Sequence, residues 1–176
     1  MTELKTKTIY NYGLLKELKR IAGGYFAPKV VRKKKSESVA YGVLFVCAAM
    51  YVWYRWQLVE LMILCGLIGL VLLIRGLFYY PFTAFVTDKL MKPYQRVNMF
   101  EFEEDAIKAI NGPGSSSRYT YDRCSDLLET KQAFYFFMNG SGVLMEKQYV
   151  EGGTEDDLRR FLEKKTGQSF LWYGKR

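Results

Sequence analysis

The sequence predicts an α+β membrane protein: a two-helix transmembrane hairpin joined to a cytoplasmic antiparallel β domain that a C-terminal helix closes. Three observations predict it. Residues 39–80 form two mostly apolar runs separated by little more than Gln57. The stretch after them alternates apolar and polar residues at the two-residue period of strands. Near the end, residues 154–166 carry the start and stop signals of an amphipathic helix.

Charge separates the same regions. Residues 1–38 hold ten Lys/Arg against three acids, residues 39–80 two against one, and residues 81–176 fourteen of each. The basic character belongs to the first segment, and the later domain is neutral. A nucleic-acid partner is therefore not expected, since the folded unit itself should then be basic. There are three Cys and no His, with no CxxC pair. That pattern indicates neither a zinc site nor a disulfide framework, and it removes the commonest general base. No cofactor, metal or catalytic residue is expected.

In residues 1–38 no leader pattern is seen, because the first apolar run starts late and is long. Thr6 to Tyr12 reads as a short strand broken by Gly13. Leu14, Leu18 and Ile21 follow at helical spacing, with Lys16, Lys19 and Arg20 on the other face. Such a helix lies in the headgroup plane or covers part of the later domain. Arg32, Lys33, Lys34 and Lys35 then stand just before the first apolar run, as a membrane-surface and topology determinant.

The hairpin is read as helices over 39–56 and 58–80, roughly 27 Å and 35 Å long, against a hydrocarbon core of about 30 Å. The second run contains fourteen Leu, Ile, Val or Phe residues. At roughly −0.3 to −0.6 kcal/mol each, these favour insertion. Tyr51, Trp53, Tyr54 and Trp56 cluster at the tight turn, and Phe78, Tyr79 and Tyr80 at the opposite boundary, as an interfacial belt does. The connecting turn holds only Arg55, so the positive-inside tendency puts both termini in the cytoplasm of a two-pass protein. Cys65, Gly66, Gly69 and Gly76 give the second helix a small-residue packing face, for the first helix or for another copy.

Residues 81–176 open with Pro81, which bends or ends the span, and with a short helix over Phe82–Tyr94. Strands are expected over 98–103, 106–110, 118–121 and 133–138, with Val143–Tyr149 pairing back as a hairpin. Asp122–Glu129 is a bend or a continuation of its strand. Asn111 to Ser117 is a loop, and Asn139 to Gly142 a turn. Thr154 and Asp157 approximate a capping box, and Gly167 ends the helix. Ser169–Tyr173 adds a terminal strand. About five antiparallel strands closed by one helix resemble a pleckstrin-homology-like half-barrel. Tyr119, Tyr121 and Lys147 mark a candidate binding surface on it.

The chain also resembles the bacterial YcxB-like membrane proteins. Phe100-Glu101-Phe102-Glu103-Glu104-Asp105-Ala106-Ile107 is similar to that family's strand-and-turn opening. Tyr121 to Glu129 is similar to its middle strand. Val143-Leu144-Met145-Glu146-Lys147, followed by Gly152 to Leu158, is similar to its last strand and helix. The resemblance implies a bacterial inner-membrane protein with an anchored domain of undefined role, and supplies no catalytic residues.

Two readings of function follow. One is a non-enzymatic cytoplasmic module that binds a lipid headgroup, a protein partner or a second copy of itself. The other is an accessory or regulatory subunit of a membrane complex such as a transporter, contacting it through the hairpin. An enzyme is not expected. Glu101 and Glu103 fall on the exposed side of an alternating strand, and Ser115-Ser116-Ser117 has no His to activate it.

Overall fold

The structure is a computed structural model and describes residues 4–112, 115–138 and 141–174. Pro113 and Gly114 of the expected loop, and Asn139 and Gly140 of the expected turn, lie outside the described residues. In chain order, strand β1 (Lys5–Ile9) leads to helix α1 (Tyr12–Ile21) and a π-helical turn (Ala22–Phe26). Helices α2 (Pro28–Trp56), α3 (Val59–Leu77) and α4 (Tyr79–Leu90) follow. Then come strands β2 (Val97–Phe102), β3 (Ala106–Ile110), β4 (Ser116–Thr120), β5 (Asp126–Glu129), β6 (Ala133–Met138) and β7 (Ser141–Glu146). Helix α5 (Glu155–Thr166) and the short strand β8 (Leu171–Trp172) complete the order.

These elements form two compact units, Met1–Leu14 with Leu90–Arg176, and Leu15–Lys89. This differs from the expected division at residues 38 and 80. The reason is a long-range pairing that local pattern does not reveal. β1 runs antiparallel to β2, in register from Lys5 opposite Glu101 to Ile9 opposite Val97. The helical hairpin is thus inserted between two neighbouring strands of one sheet.

The β unit has eight described strands rather than five, in two sheets ordered β1-β2-β3-β4 and β7-β6-β5-β8. Every pair is antiparallel except β5 with β8. That pair is parallel because the chain returns to the sheet through α5, the long connection that parallel strands require. The sheets meet at one corner. The Thr8 hydroxyl donates to the Leu144 carbonyl, the Thr6 hydroxyl donates to the Glu146 carbonyl at 3.1 Å, and Lys5 and Glu151 exchange backbone bonds of 3.0 and 2.8 Å.

The core lies between the sheets. Phe100 and Ile107 meet Leu127, Phe134, Phe136 and Met145, and Leu158 and Leu162 of α5 close the open side. Helix α5 begins where the sequence places its cap. Asp157 N–H donates to Thr154 Oγ1 at 3.2 Å, and Thr154 N–H donates to Asp157 Oδ2 at 2.9 Å. Gly167, at φ +68°, ends the helix in the left-handed conformation that glycine adopts without steric cost. The other face of the second sheet is buried as well, through Leu128, Tyr135, Phe137 and Leu144. That explains why Ala133–Met138 reads as one continuous apolar run instead of alternating.

In the helical unit, α2 begins at Pro28 and not at Val39. It is about 43 Å long. Pro28 suits a first helical turn, and the Lys and Arg that follow are good helix formers, so hydropathy marks the apolar part without marking where the helix starts. Gln57, at φ 52°, turns the chain into α3. α3 stops at Leu77 instead of Tyr80, because Pro81 offers no N–H to the Leu77 carbonyl and its ring crowds it. α4 then covers 79–90 instead of 82–94, ending ahead of Pro93. Both α2 and α3 are long and apolar enough to cross a membrane.

The expected glycine face divides in two. A Cβ built on Gly76 would stand 2.5 Å from Val39 Cγ2, and one on Gly69 would stand 2.9 Å from Val46 Cγ2. Gly42 is equally close to Leu73 across the same contact. These three glycines let α2 and α3 approach. Gly66 has nothing within 4 Å of such an atom, and Cys65 is half-buried beside it.

Candidate functional site

The basic cluster is helical. Arg32, Lys33 and Lys34 are exposed on the extension of α2, while Val31 and Ser38 on another side of that helix are buried. Lys33 pairs with Glu37 one turn on, at 3.8 Å. Lys35 is set apart from its neighbours, half-buried with Nζ 4.6 Å from the centre of the Tyr80 ring.

The acidic run at the start of the β unit is tied into a ladder of ion pairs across the first sheet. Glu101 lies between Lys5 at 3.6 Å and Lys108 at 2.9 Å, and Arg118 reaches Glu103 at 2.8 Å and Asp105 at 2.9 Å. The hydrogen bond from Lys108 holds the Glu101 carboxyl below the usual carboxylate range. Glu101, Glu103 and Asp105 thus each have a cation, as acids on a sheet face do, while Glu104 between them offers its backbone carbonyl to Lys165 at 2.6 Å.

The residues expected to form one binding surface do not do so. Tyr121 is 4% exposed and belongs to the core, in a 3-10 turn at 121–123 instead of the strand. Its hydroxyl donates within 3.1–3.2 Å of the Glu103 and Ala106 carbonyls, and burial raises its pKa. Tyr119 faces inward from β4, opposite Ile107 in register, and packs against the same core. Lys147 belongs to the second sheet, in the 3-10 turn that replaces the end of the expected strand 143–149.

Around Lys147 the structure assembles a group that the sequence reading missed. Its centre is Glu129, the last residue of β5 and 6% exposed. Glu129 accepts from Lys147 Nζ, and Arg159 of α5 approaches its other oxygen at 3.3 Å. Lys147 Nζ also lies 4.6 Å from the Phe134 ring centre and 5.9 Å from that of Trp172. One buried carboxylate therefore fastens β5, the turn after β7 and α5 together. The signal in the sequence is an acid and a lysine each ending an apolar strand, at Leu127-Leu128-Glu129 and Leu144-Met145-Glu146-Lys147.

A polar cleft of about 310 Å³ opens beside this group, with Asn11, Gln132, Glu146, Lys147, Gln148 and Glu155 among its walls. Lys131 also lines it, and three of its ionisable walls, Glu146, Lys147 and Glu155, are engaged. Glu146 accepts from Ile9 N–H and from Gln148 Nε2, both at 2.7 Å, and Lys147 is shared between Glu129 and Glu155. Elsewhere in the unit, burial pushes the Tyr10 phenol up, and Asn98 donates to it at 3.4 Å. Burial likewise raises the Cys124 thiol to about 11, beside Gln168, so this cysteine stays a protonated, inert core residue at neutral pH.

With this geometry in view, comparison with protein-family models, with curated proteins and with solved structures finds no match.

Proposed function

We propose that the protein is a membrane-anchored, non-enzymatic interaction module of the YcxB-like kind: a pleckstrin-homology-like half-barrel held at the cytoplasmic face by the α2–α3 hairpin. The observation that carries this reading is the pairing of β1 with β2. Strands hydrogen-bonded side by side lie on one side of a membrane, so a hairpin inserted between them leaves and returns on that side. Lys29 and the Arg32–Lys35 cluster support a cytoplasmic side, by the positive-inside tendency. Insertion is supported by burial. Only 22% of the apolar window of α2 and 11% of that of α3 is buried, whereas a helix in a soluble core is mostly covered.

The half-barrel reading draws support from two four-stranded sheets that meet at the β1–β7 corner and from α5 closing the core. A non-enzymatic role is supported by the ion pairs that occupy Glu101, Glu103, Asp105, Glu129 and Lys147. The ligand class is a lipid headgroup, a protein partner or a second copy. One observation favours the second reading, an accessory subunit of a membrane complex: an apolar groove of about 640 Å³ on the hairpin, lined by Val46, Met50, Trp53, Met62, Gly66 and Leu67 among others.

Single cysteines in a cysteine-free background test the topology. Cys124 itself is a poor reporter, being buried and protonated. Glu37→Cys and Ser116→Cys are expected to resist an impermeant maleimide in intact cells and to react after lysis. Tyr54→Cys, at the exposed turn, is expected to react from outside. Labelling of positions 37 and 116 from opposite sides overturns the proposal.

A further inference from the structure

The outer face of the first sheet changes character along its strands. The register aligns Lys5, Glu101, Lys108 and Arg118 as one charged row. The next row is Lys7, Met99, Ile110 and Ser116, and the last is Ile9 beside Val97. Ile9, Val97 and Met99 are 37%, 40% and 53% exposed, and Leu90 and Tyr94 just ahead of β2 are more than half exposed. Apolar side chains grouped at one end of a solvent-side face call for something to cover them.

Three features identify the cover. First, this is the end of the sheet where β1 leaves for the hairpin and β2 returns from it, while the charged row is the far end. Second, the apolar group is flanked by Lys7 and Lys92, and neither residues 4–11 nor residues 89–100 contain a carboxylate side chain, Asp88 being the nearest acid ahead of them. Third, the return segment Leu90-Met91-Lys92-Pro93-Tyr94-Gln95-Arg96 mixes apolar, aromatic and cationic residues, with Lys92 Nζ 5.9 Å from the Tyr94 ring centre. That is the composition of an interfacial segment, where apolar groups enter the acyl boundary and cations meet lipid phosphates.

We propose that this end of the sheet face, Ile9, Val97 and Met99 with Leu90 and Tyr94, rests on an anionic phospholipid surface, held there electrostatically by Lys7 and Lys92. The inference rests on the membrane-anchor reading and adds a second contact with the same bilayer. It makes the β unit's orientation a function of lipid charge.

The test uses the full-length, cysteine-free chain in vesicles of phosphatidylethanolamine with phosphatidylglycerol. Fluorophores are placed by Met99→Cys, by Lys108→Cys on the charged row, and by Leu64→Cys in α3. Labels at positions 99 and 64 are expected to be quenched by lipid-borne nitroxide and protected from an aqueous nickel chelate, and the label at 108 the reverse. In pure phosphatidylcholine, or with Lys7→Glu and Lys92→Glu together, the label at 99 is expected to lose its lipid quenching while that at 64 keeps it. A label at 99 that is aqueous in the anionic vesicles while 64 is in lipid overturns the docking and leaves the anchor standing. Protection of position 99 only in native membranes overturns it too, in favour of a protein partner. Quenching at 99 that ignores lipid charge overturns the electrostatic attachment. An aqueous label at 64 removes the anchor reading itself.

Discussion

Leu64, Leu67 and Leu70 of α3 are 55%, 57% and 52% exposed, while Phe134, Tyr135, Phe136 and Phe137 of β6 are each at or below 1%. The two runs are equally greasy and are placed in opposite ways. In the β unit, apolar area withdrawn from water contributes about 25 cal/mol per Å², so the strands turn their large side chains inward and α5 covers what remains. In the hairpin the helices satisfy their own backbone groups and face their large side chains outward, keeping glycines for the line where they touch. The difference teaches that apolar character specifies a solvent and not an interior. On the membrane-anchor reading proposed above, the solvent around α2 and α3 is hydrocarbon, and there the inside is marked by small residues.

The sharpest way to break this contrast is to truncate one large side chain in each region. Phe136→Ala is expected to destabilise the β unit by about 3–5 kcal/mol, since a filled core site becomes a cavity. Leu64→Ala is expected to change stability by no more than about 0.5 kcal/mol, as an exposed position does. Denaturant unfolding in mild detergent, followed by near-UV circular dichroism for the β unit and by far-UV signal for the helices, measures both. A loss at Leu64 as large as that at Phe136 would place α3 in a protein core.

Next in size is the buried ion group. Glu129→Ala leaves the Lys147 ammonium covered and without its carboxylate, at an expected cost of about 3 kcal/mol. Adding Lys147→Met to that variant removes the orphaned charge and is expected to restore most of the stability. The same unfolding experiment on the two variants decides. A double variant no better than the single one would mean that Lys147 is not held by Glu129.

The glycines sharpen the other side of the comparison. Gly76→Val pushes a side chain into Val39, and its expected cost is about 1–3 kcal/mol of hairpin stability. Gly66→Val enters open space and is expected to leave the isolated hairpin unchanged. Thermal loss of helicity in detergent distinguishes them. Should Gly66→Val instead abolish capture of a membrane partner with the fold intact, the groove and the accessory-subunit reading gain weight.

Much of this was legible in residue order, for reasons that differ by element. The two long apolar helices, the turn at Gln57, the Thr154–Asp157 cap and strands β2, β3 and β6 all rest on local patterns in the sequence. What was not legible depends on distance along the chain. Nothing near Thr6 announces Phe100 as its cross-strand partner, so the membership of β1 in the later sheet was invisible. The parallel β5–β8 pair and the Glu129–Lys147–Arg159 group have the same cause, because each joins residues that meet only after α5 is in place. Tyr121 was misplaced for another reason. Alternation put it on a strand face, whereas a short turn carries it into the core, where its hydroxyl finds two carbonyls.

The smallest expected effect concerns acid, and it too separates the two regions. The hydroxyl of Thr154 holds the Asp157 carboxyl below its ordinary range, and Lys108 does the same for Glu101. A carboxyl whose folded pKa is depressed stabilises the fold fully above its unfolded pKa, roughly 4, and loses that contribution as pH falls through the lowered folded value. The β unit should therefore weaken below about pH 4. Asp157→Asn should flatten that limb, because an amide keeps an acceptor for the Thr154 N–H but has no proton to gain. Residues 39–80 contain a single acid, Glu60, and have little to titrate in that window. Acid titration with tertiary and helical signals read together is expected to lose the first while retaining the second. Simultaneous loss of both would mean that hairpin and β unit unfold as one cooperative body, and that the contrast between them in packing is not a contrast in stability.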